Sequence, residues 1–303
     1  MELKHLRHFV AVVDCGTLSG ASSILHLTQP ALTRSIKTLE HQLEAELLER
    51  RARGVVPTEA GARLYTRAKT ILNEAARTAE DVSATARGAR GKLSIGVAAM
   101  FSGEVIAAVL AHLKKAAPDL TVHVLEGFFE DLVDNLKTAQ VEAVFTNFPP
   151  GLTDPELTFE PIITVQSRFV VSAKHPLASN KHVSMSEIAK VQMALVRQAH
   201  MTTLVSELFA AQDVGLSRPA IETNALQLLR SLVLSGDYIS LLPDHILEDD
   251  VEAGRIVRLN VEGTPLQRAS GLVLRNQETQ RPAVSHFAAA ARAALADWPE
   301  IKS

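Results

Sequence analysis

Cysteine, tryptophan and long apolar runs are scarce in this sequence of 303 residues, and aromatic residues make up only 4% of it. A single cysteine, Cys15, can form neither an internal disulfide nor a cysteine-based zinc site, so a reducing compartment fits best. The longest apolar run, residues 105–111, is seven residues long, whereas a membrane-spanning helix needs about 20. Charged residues interrupt the first six residues, which do not resemble a signal peptide. We expect a cytoplasmic protein that does not enter a membrane.

Signatures of enzymes are also missing. The sequence contains no Gly-x-Ser-x-Gly elbow, no Gly-Lys-Ser/Thr phosphate loop and no His-Glu-x-x-His pair. Its 11 histidines are scattered rather than grouped at the spacing of metal ligands. We therefore expect no catalytic residues, no metal site and no cofactor.

The charge is unevenly distributed along the chain. Residues 1–91 carry 13 Lys/Arg and 10 Asp/Glu, whereas the remainder carries 18 and 24, within an overall net charge of −3. A positive N-terminal part on a negative body suggests a polyanion partner for that part alone. The excess is small enough to be ordinary scatter, so charge leaves nucleic-acid binding open and the motifs must decide.

The first 48 residues have the pattern of three helices. Residues at three- and four-residue spacing predict an amphipathic first helix that Gly16 ends: Leu3, Leu6, Phe9, Val10 and Val13. A second helix is expected over residues 19–26, with four inward residues: Leu18, Ala21, Ile24 and Leu25. A third helix is expected to begin at Thr28-Gln29-Pro30, with Thr28 as N-cap and the following residues inward: Ala31, Leu32, Ile36, Leu39 and Leu43.

The outer face of the third helix presents Gln29, Thr33, Arg34 and Lys37. Two short helices joined by a tight turn, the second with a donor-rich outer face, are typical of a helix-turn-helix. Gln can pair with adenine and Arg with guanine, each good pair contributing about 1–3 kcal/mol of base discrimination. For any one of these residues alone, an ordinary solvated helix face remains the alternative. Residues 49–57 then place three arginines around a glycine, which predicts a wing that reaches phosphates or a minor groove.

A long helix is predicted after the wing, from a Thr58 cap to about Arg87. Its apolar residues form a thin stripe: Leu64, Ala68, Ile71, Leu72, Ala75, Ala79 and Val82. Such a stripe favours a partner helix, and packing on its own domain is the alternative. The two glycines within residues 87–91 predict a hinge.

After Lys92 strands and helices alternate. We expect strands at residues 93–98, 121–125 and 142–146, and helices at residues 105–115 and 130–140. Later strands are expected at residues 169–171, 193–196, 238–242 and 271–274, and Pro282 opens a closing helix. This alternation implies a parallel sheet with crossover helices. Open α/β sheets bind ligands beyond the carboxyl ends of their strands, beside helix N-termini.

Residues 3–65 resemble the N-terminal domain of the LysR-type transcriptional regulators. The matching motifs are Leu6-Arg7-His8-Phe9, Gly16-Thr17-Leu18-Ser19, Leu27-Thr28-Gln29-Pro30-Ala31-Leu32-Thr33-Arg34-Ser35-Ile36 and Thr58-Glu59-Ala60-Gly61. Glu44 departs from the pattern, because a glycine is common there, as do Leu48 and Pro57 in the wing. The resemblance implies that Gln29, Thr33 and Arg34 face the major groove beside Pro30. It also implies that Thr28, Lys37 and Arg53 hold phosphates, while contact of Arg50 with DNA stays open.

The remainder resembles the effector domain of the same family, most visibly in Glu222-Thr223-Asn224 and Leu241-Leu242-Pro243. That domain has two α/β lobes crossed twice by the chain, as in periplasmic solute-binding proteins, with crossings expected near Ile162 and Leu266. The expected fold class is α+β overall. An all-α winged helix-turn-helix (1–58) is followed by a linker helix and hinge (59–91), effector lobe I (92–162 plus 267–303) and lobe II (163–266).

The resemblance and the strand order together predict a cleft between the lobes. Its expected residues are Ala99, Met100, Phe101, Ser102, Thr146, Asn147, Phe148, His200, Met201, Thr202, Thr203 and Asn224. Hydroxyl groups and apolar walls of this kind suit a small effector, either an organic acid or an aromatic compound. Core packing or helix capping is the alternative role of each residue.

The resulting prediction is a ligand-responsive transcriptional regulator. It binds double-stranded DNA at an inverted repeat as a homo-oligomer, a dimer or, as the family suggests, a tetramer of two dimers. The effector closes the lobes, moves the recognition helices, and changes DNA bending and contact with RNA polymerase. The main alternative is an effector-independent regulator whose C-terminal body serves oligomerisation only. A plain solute-binding protein has no use for the helix-turn-helix.

Overall fold

A computed structural model describes the backbone of most of the chain. The residues left outside the description are 53, 87–90, 150, 152, 198, 216–217, 263, 265, 277–279 and 299–303, and the side chains of 81, 84–86 and 199–200. The chain forms two compact units. The first comprises Met1–Ser94, Asp119–His123 and Val133–Glu142, and the second comprises Ile95–Pro118, Val124–Leu132 and Ala143–Ser303.

Three helices, a hairpin and a long helix make up most of the first unit, as the sequence predicts. They are α1 (Leu3–Cys15), α2 (Leu18–Ile24), α3 (Gln29–Leu43), β1 (Leu48–Arg51), β2 (Gly54–Pro57) and α4 (Glu59–Ala86). The antiparallel pairing of β1 and β2 joins Leu48 to Pro57 and Arg51 to Gly54. This is the winged helix-turn-helix, continued by the linker helix.

The helix ends follow local backbone chemistry. Gly16 adopts φ 65° and its N–H donates to the carbonyls of Val12 and Val13, which closes α1 as expected. The second helix ends at Ile24 rather than at His26, because His26 lies in the left-handed region with φ 53°. Glu44, where the family favours glycine, caps α3 with φ 51°.

One cluster of buried side chains holds the head together. Its members are Leu6, Phe9, Val12, Ala21, Leu32, Ile36, Leu39, Leu47 and Ala68. Four expected members are wrong, because Ala31 is exposed, and the exposed fraction is 46% for Leu3, 66% for Ile24 and 38% for Leu43. On α3, only Leu32, Ile36 and Leu39 belong to the buried stripe. From the short helix α2, Ala21 is buried in the head cluster, and Leu25, directly after the helix, packs against it.

The linker helix begins where the sequence predicts, since the N–H of Gly61 donates to Thr58 Oγ1 at 3.0 Å. Leu64, Ala68 and Leu72 pack on the head cluster, so the first part of the stripe is covered by its own domain. Ile71, directly before Leu72, is nevertheless 38% exposed, and Val82, farther along the helix, is 65% exposed. The predicted hinge at residues 87–90 lies outside the described residues.

The second unit is built around a mixed sheet. Its elements, some beginning in the first unit, are β3 (Lys92–Ala98), α5 (Glu104–Ala116), β4 (Thr121–Gly127), α6 (Phe129–Lys137), β5 (Ala143–Asn147), β6 (Leu157–Ser172), α7 (Met185–Ile188), β7 (Gln192–Val196), α8 (Ala199–Ala210), β8 (Ile221–Thr223), α9 (Leu226–Ser235), β9 (Tyr238–Pro243), α10 (Glu248–Glu252), β10 (Ile256–Arg258), β11 (Leu266–Arg275) and α11 (Pro282–Leu295). In the described part of the chain the strand order is β4-β3-β5-β11-β6-β9-β7-β8, with β10 paired to β6.

Parallel pairing is confirmed for β3 with β5 and for β7 with both β8 and β9. The expectation fails for β6 and β11, which form a long antiparallel pair from Leu157 opposite Arg275 to Ser167 opposite Leu266. These two strands connect β5 at one end with β9 at the other. A register shift falls at Ser270/Gly271, where a Cβ on Gly271 would lie 2.2 Å from the Glu160 carbonyl oxygen. Only glycine fits this close backbone approach.

Two further clusters of buried residues join strands β6, β7 and β9 to helices. One contains Phe169, Leu241 and, from α8, Phe209; the other contains Val170, Leu242 and, from α9, Leu229. The closing helix α11 begins at Pro282 as predicted, and Phe287 and Ala291 on it are fully buried. Among the described residues, none of the helices has both the length and the apolar character that crossing a bilayer requires.

Candidate nucleic-acid interface and ligand cleft

The exposed face of α3 carries five of the seven residues predicted to meet DNA. Gln29, Pro30, Thr33, Arg34 and Lys37 together line one shallow depression on the head. Thr28 precedes them as the N-cap, and its Oγ1 accepts from the N–H of Ala31 at 3.4 Å. The seventh residue, Arg53, lies outside the described residues.

The hydrogen bonds of this face determine what it offers. Thr33 donates its hydroxyl proton to the Gln29 carbonyl at 2.9 Å, so it presents outward a methyl group and oxygen lone pairs. In the part of the chain that the structure describes, Arg34 and Lys37 have no ion pair. Their charges are therefore available to a polyanion without first breaking an internal contact.

Two contacts behind α3 set its orientation. His8 Nδ1 lies 2.7 Å from Ser35 Oγ, which links α1 to α3. Burial lowers the pKa of His8, and the neighbouring basic residues His5, Arg7 and Lys4 lower it further, which favours the neutral ring. The N–H of Leu47 donates to Glu40 Oε1 at 2.9 Å, which ties the C-terminal half of α3 to the start of the wing.

The wing is attached to the head through its backbone. The N–H of Val55 donates to the Gly16 carbonyl at 2.8 Å, just after α1 ends. Arg51 forms an exposed ion pair with Glu49 at 2.8 Å, so part of its charge is already neutralised. Arg50 is exposed on β1 opposite Val55.

A cavity of about 70 Å³ opens in the second unit at the carboxyl ends of its strands. Strand ends contribute Ala98, Asn147, Val196 and Pro243, and the long pair β6 and β11 contributes Val165, Ser167, Leu266 and Arg268. The turn after β3 contributes Ala99 and Met100, and β9 also contributes Leu241. The remaining lining residues lie at the beginnings of helices: Phe128, Phe129, Met201, Leu204 and Leu226. This is the position at which open α/β sheets bind ligands. We call it the cleft.

Four of the twelve residues predicted for the cleft line it, namely Ala99, Met100, Asn147 and Met201. Ser102 and Asn224 instead line a wider hollow of about 560 Å³ that shares Met100 and Leu226 with the cleft. The side chain of His200 lies outside the described residues.

The other predicted residues do not line the cleft, for physical reasons. Phe101 and Thr146 are fully buried. Phe101 meets the Phe145 ring edge-on at 5.0 Å between centroids, and Phe148 meets Phe159 similarly at 5.4 Å, so both aromatic rings serve packing. Thr202 and Thr203 lie on the exposed face of α8.

Most of the residues that line the cleft were not predicted from the sequence. Val196 and Pro243 end strands that had been predicted, so the rule of strand carboxyl ends could have found them. Ser167 and Arg268 could not be found in this way, because they lie on strands whose length and antiparallel pairing were not predicted.

A histidine lies behind the cleft wall. His245 donates from Nε2 to the Met100 carbonyl at 2.8 Å and stacks on Phe101 at 5.6 Å between centroids. Burial lowers the pKa of His245, although the hydrogen bond to Met100 and the charges of Asp244 and Glu104 oppose that shift. A neutral His245 therefore holds the turn that carries Met100.

The two ends of helix α6 belong to different units, and each end has its own contacts. Phe128 and Phe129, at its start, line the cleft. Within the first unit, Thr70 Oγ1 donates to the Lys137 carbonyl at 3.0 Å and Asn73 Nδ2 donates to the Thr138 carbonyl at 2.8 Å. Thr70 and Asn73 of α4 thus donate hydrogen bonds to carbonyls at the end of α6. The last carbonyls of a helix have no donor within the helix itself.

Comparison with known families gives two matches that together span almost the whole chain. The profile described as "Bacterial regulatory helix-turn-helix protein, lysR family" matches residues 3–62, and that described as "LysR substrate binding domain" matches residues 86–296. The nitrogen assimilation regulatory protein nac of Klebsiella aerogenes is 31% identical over 249 residues, covering 80% of this chain and 79% of that protein.

Solved structures show the same fold. The crystal structure of CbnR, a LysR family transcriptional regulator, superimposes with a TM-score of 0.69 at 23% identity, covering 97% of this chain and 99% of that one. CbnR complexed with its target DNA gives a TM-score of 0.67 at 24% identity over 97% and 100% of the two chains.

Proposed function

Because the chain belongs to the LysR family of bacterial regulatory helix-turn-helix proteins, we propose that it controls transcription in the cytoplasm from an inverted-repeat promoter site. It is a DNA-binding regulator with a ligand-binding domain. Its effector is a small molecule bound in the cleft. The protein itself acts on RNA polymerase and does not catalyse a reaction. We keep the domain boundaries and DNA contacts predicted from the sequence as part of this proposal.

The observation that carries the proposal is the chemistry of one helix face. Gln29, Thr33, Arg34 and Lys37 lie together on the exposed face of α3, and none of the four is a carboxylate. As far as the structure describes the chain, none of them forms an ion pair that would compete with DNA. An α-helix fits the major groove, where amide and guanidinium groups distinguish base pairs. CbnR, which shares the fold, has been solved with its target DNA.

The exposed part of the linker helix supports a homo-oligomer. Ile71 and Val82 are left uncovered on α4 after Leu64, Ala68 and Leu72 have packed on the head. A second linker helix would cover such a stripe and place two recognition helices on one DNA, which is why we propose an inverted-repeat site. A tetramer of two dimers is our proposal for the assembled regulator.

Selection of bound duplexes from a random pool by the full-length protein tests this function. We expect enrichment of an inverted repeat and a footprint whose half-sites lie on one side of the DNA. Retention that is equal for selected and random duplexes at moderate salt would overturn the proposal. If the protein binds DNA selectively but no small molecule stabilises it against unfolding, the effector-independent alternative is indicated instead.

The double variant Thr70→Val/Asn73→Ala is expected to weaken communication between DNA and the cleft. Each substitution removes one hydrogen bond from α4 to the end of α6, and linkage makes any effector–DNA coupling reciprocal. Saturating the wild type with the selected duplex should change amide hydrogen exchange at residues 128–131. In the variant we expect that change to be at least about 5-fold smaller, since the two hydrogen bonds, at about 0.5–1.5 kcal/mol each, together contribute about 1–3 kcal/mol.

Thr78→Val is the matched control, because among the described residues the Thr78 hydroxyl bonds only to the Glu74 carbonyl within α4, at 2.8 Å. It should behave as the wild type. Equal exchange changes in the wild type and the double variant would show that α6 does not carry the coupling.

A further inference from the structure

The cleft combines one charged side chain with an otherwise apolar wall. Among the described residues that line it, Arg268 alone carries a charge, and Asn147 and Ser167 add an amide and a hydroxyl. The rest of the wall is formed by alanine, valine, leucine, proline, methionine and phenylalanine side chains. A site of this kind orients its ligand by a few polar groups and binds the remainder by apolar contact.

Arg268 lies on β11 directly opposite Val165 of β6, and it is half-buried. In the described part of the chain its guanidinium makes no hydrogen bond and no ion pair. Burial lowers the pKa of Arg268, whereas the carboxylate of Glu207 on α8 acts on it through space in the opposite direction. The guanidinium nevertheless remains charged at neutral pH, because arginine does not lose its proton in proteins.

Such a charge favours an anion as its occupant. A partly desolvated guanidinium without hydrogen-bond acceptors is unfavourable, and a carboxylate can satisfy its fork with two parallel bonds. The first turn of α9, which contributes Leu226 to the cleft, has no side-chain cap. The N–H groups of a first helical turn carry partial positive charge, which also favours an anion over a cation.

The apolar wall limits the rest of the ligand. Phe128, Phe129, Met201 and Leu204 offer no partner to a second charge, and burying one without a partner is costly. A cavity of about 70 Å³ has room for a small molecule only. A dicarboxylate, a sugar phosphate or an amine would each leave polar groups unsatisfied against this wall.

We propose that the effector is a small monocarboxylate with a compact branched or aromatic apolar body, and that Arg268 binds its carboxylate. Asn147 and Ser167 hydrogen-bond the same group, and the apolar body lies against the phenylalanine and methionine side chains. This inference rests on the proposed function, since it assigns the ligand class and the specificity-determining residue of the same cleft.

Matched probes test the charge requirement on the full-length protein. Isovalerate and benzoate are compared with isovaleramide and benzamide, and with isoamylamine and benzylamine, each at about 10 mM. We expect the carboxylates to raise Tm by about 2–4 °C and the amides and amines of the same skeleton to leave it unchanged. Calorimetric titration then gives the Kd of the better carboxylate.

Variants of Arg268 test its role. Arg268→Gln should weaken carboxylate binding roughly 10- to 100-fold, and Arg268→Lys should weaken it less, since it keeps the charge but loses the bidentate fork. Arg275→Gln, which removes the same charge from the other end of β11, should bind as the wild type. The ligand-free Tm of Arg268→Gln is measured alongside to show that the variant folds, since in the described part of the chain this side chain makes no hydrogen bond or ion pair that holds the fold.

The inference is overturned if amides or amines stabilise the protein as much as carboxylates, if no probe shifts Tm, or if Arg268→Gln retains wild-type affinity. If the regulator function is correct, the protein still binds DNA sequence-selectively in each of these cases. Loss of selective DNA binding by the wild type, in contrast, contradicts the proposed function itself, whatever the cleft binds.

Discussion

Replacing Arg34 with alanine is expected to relax base preference at one position of each half-site and to cost about 1–3 kcal/mol at the preferred sequence. Replacing Lys37 with alanine should weaken binding to every sequence alike and reduce the salt slope by about one. Affinity for the selected duplex and for single-base variants of it, measured at several salt concentrations, separates the two effects.

The different roles follow from position and side-chain chemistry. Arg34 and Lys37 are one helical turn apart on the same exposed face, so both can reach DNA. A guanidinium matches the two acceptors on a guanine edge, whereas a flexible ammonium serves as a point charge beside a phosphate. Arg63→Ala, which removes an exposed arginine paired to Glu59 on α4, is the matched control for net charge. If the Arg34 and Lys37 variants lose the same affinity on every sequence, this division of roles is wrong.

The head could be predicted closely because its signals are local. Gly16, Thr28 and Thr58 end or begin helices through hydrogen bonds within four residues, and each is observed. The errors at Ile24 and Leu43 have a tertiary cause, since periodicity shows which residues can face inward but not where neighbouring elements stop covering them.

The cleft was less predictable because non-local pairing builds it. The β6–β11 pair brings Ser167 and Arg268, which lie about 100 residues apart in the chain, to the same wall of the cleft, and no short pattern in the sequence records that pairing. Strands that end at the cleft were predicted, but side chains alternate across a strand, so a shift of one residue exchanges lining and buried positions. Asn147 lines the cleft, for example, and its neighbour Thr146 is fully buried.

The double variant Arg230→Met/Arg255→Met is expected to destabilise the effector domain by about 3–5 kcal/mol at neutral pH. Asp250 on α10 is only 1% exposed, and its carboxylate accepts from Arg230 Nε at 2.5 Å and from Arg255 Nε at 2.7 Å. Without both arginines a buried carboxylate has no cation. Asp250→Asn should cost less, because the arginines are 34% and 50% exposed and can return to water. The triple variant should recover most of the loss, since it removes the buried charge itself.

The pH dependence distinguishes this electrostatic effect from simple loss of packing. Burial raises the pKa of Asp250, but the hydrogen bonds from Arg230 and Arg255 outweigh it and hold the pKa below its ordinary value of 3.8. The wild type therefore has this stabilisation above pH 3.8 and loses it as pH falls through the lower folded pKa. In the double variant burial alone acts, so the pKa rises and protonation at mildly acidic pH relieves the penalty. The difference in Tm between wild type and double variant should narrow as pH is lowered toward 4, whereas a packing defect would leave it constant. Because Arg230 lies on α9, whose first residue Leu226 lines the cleft, the same variant should also weaken binding of the carboxylate probes.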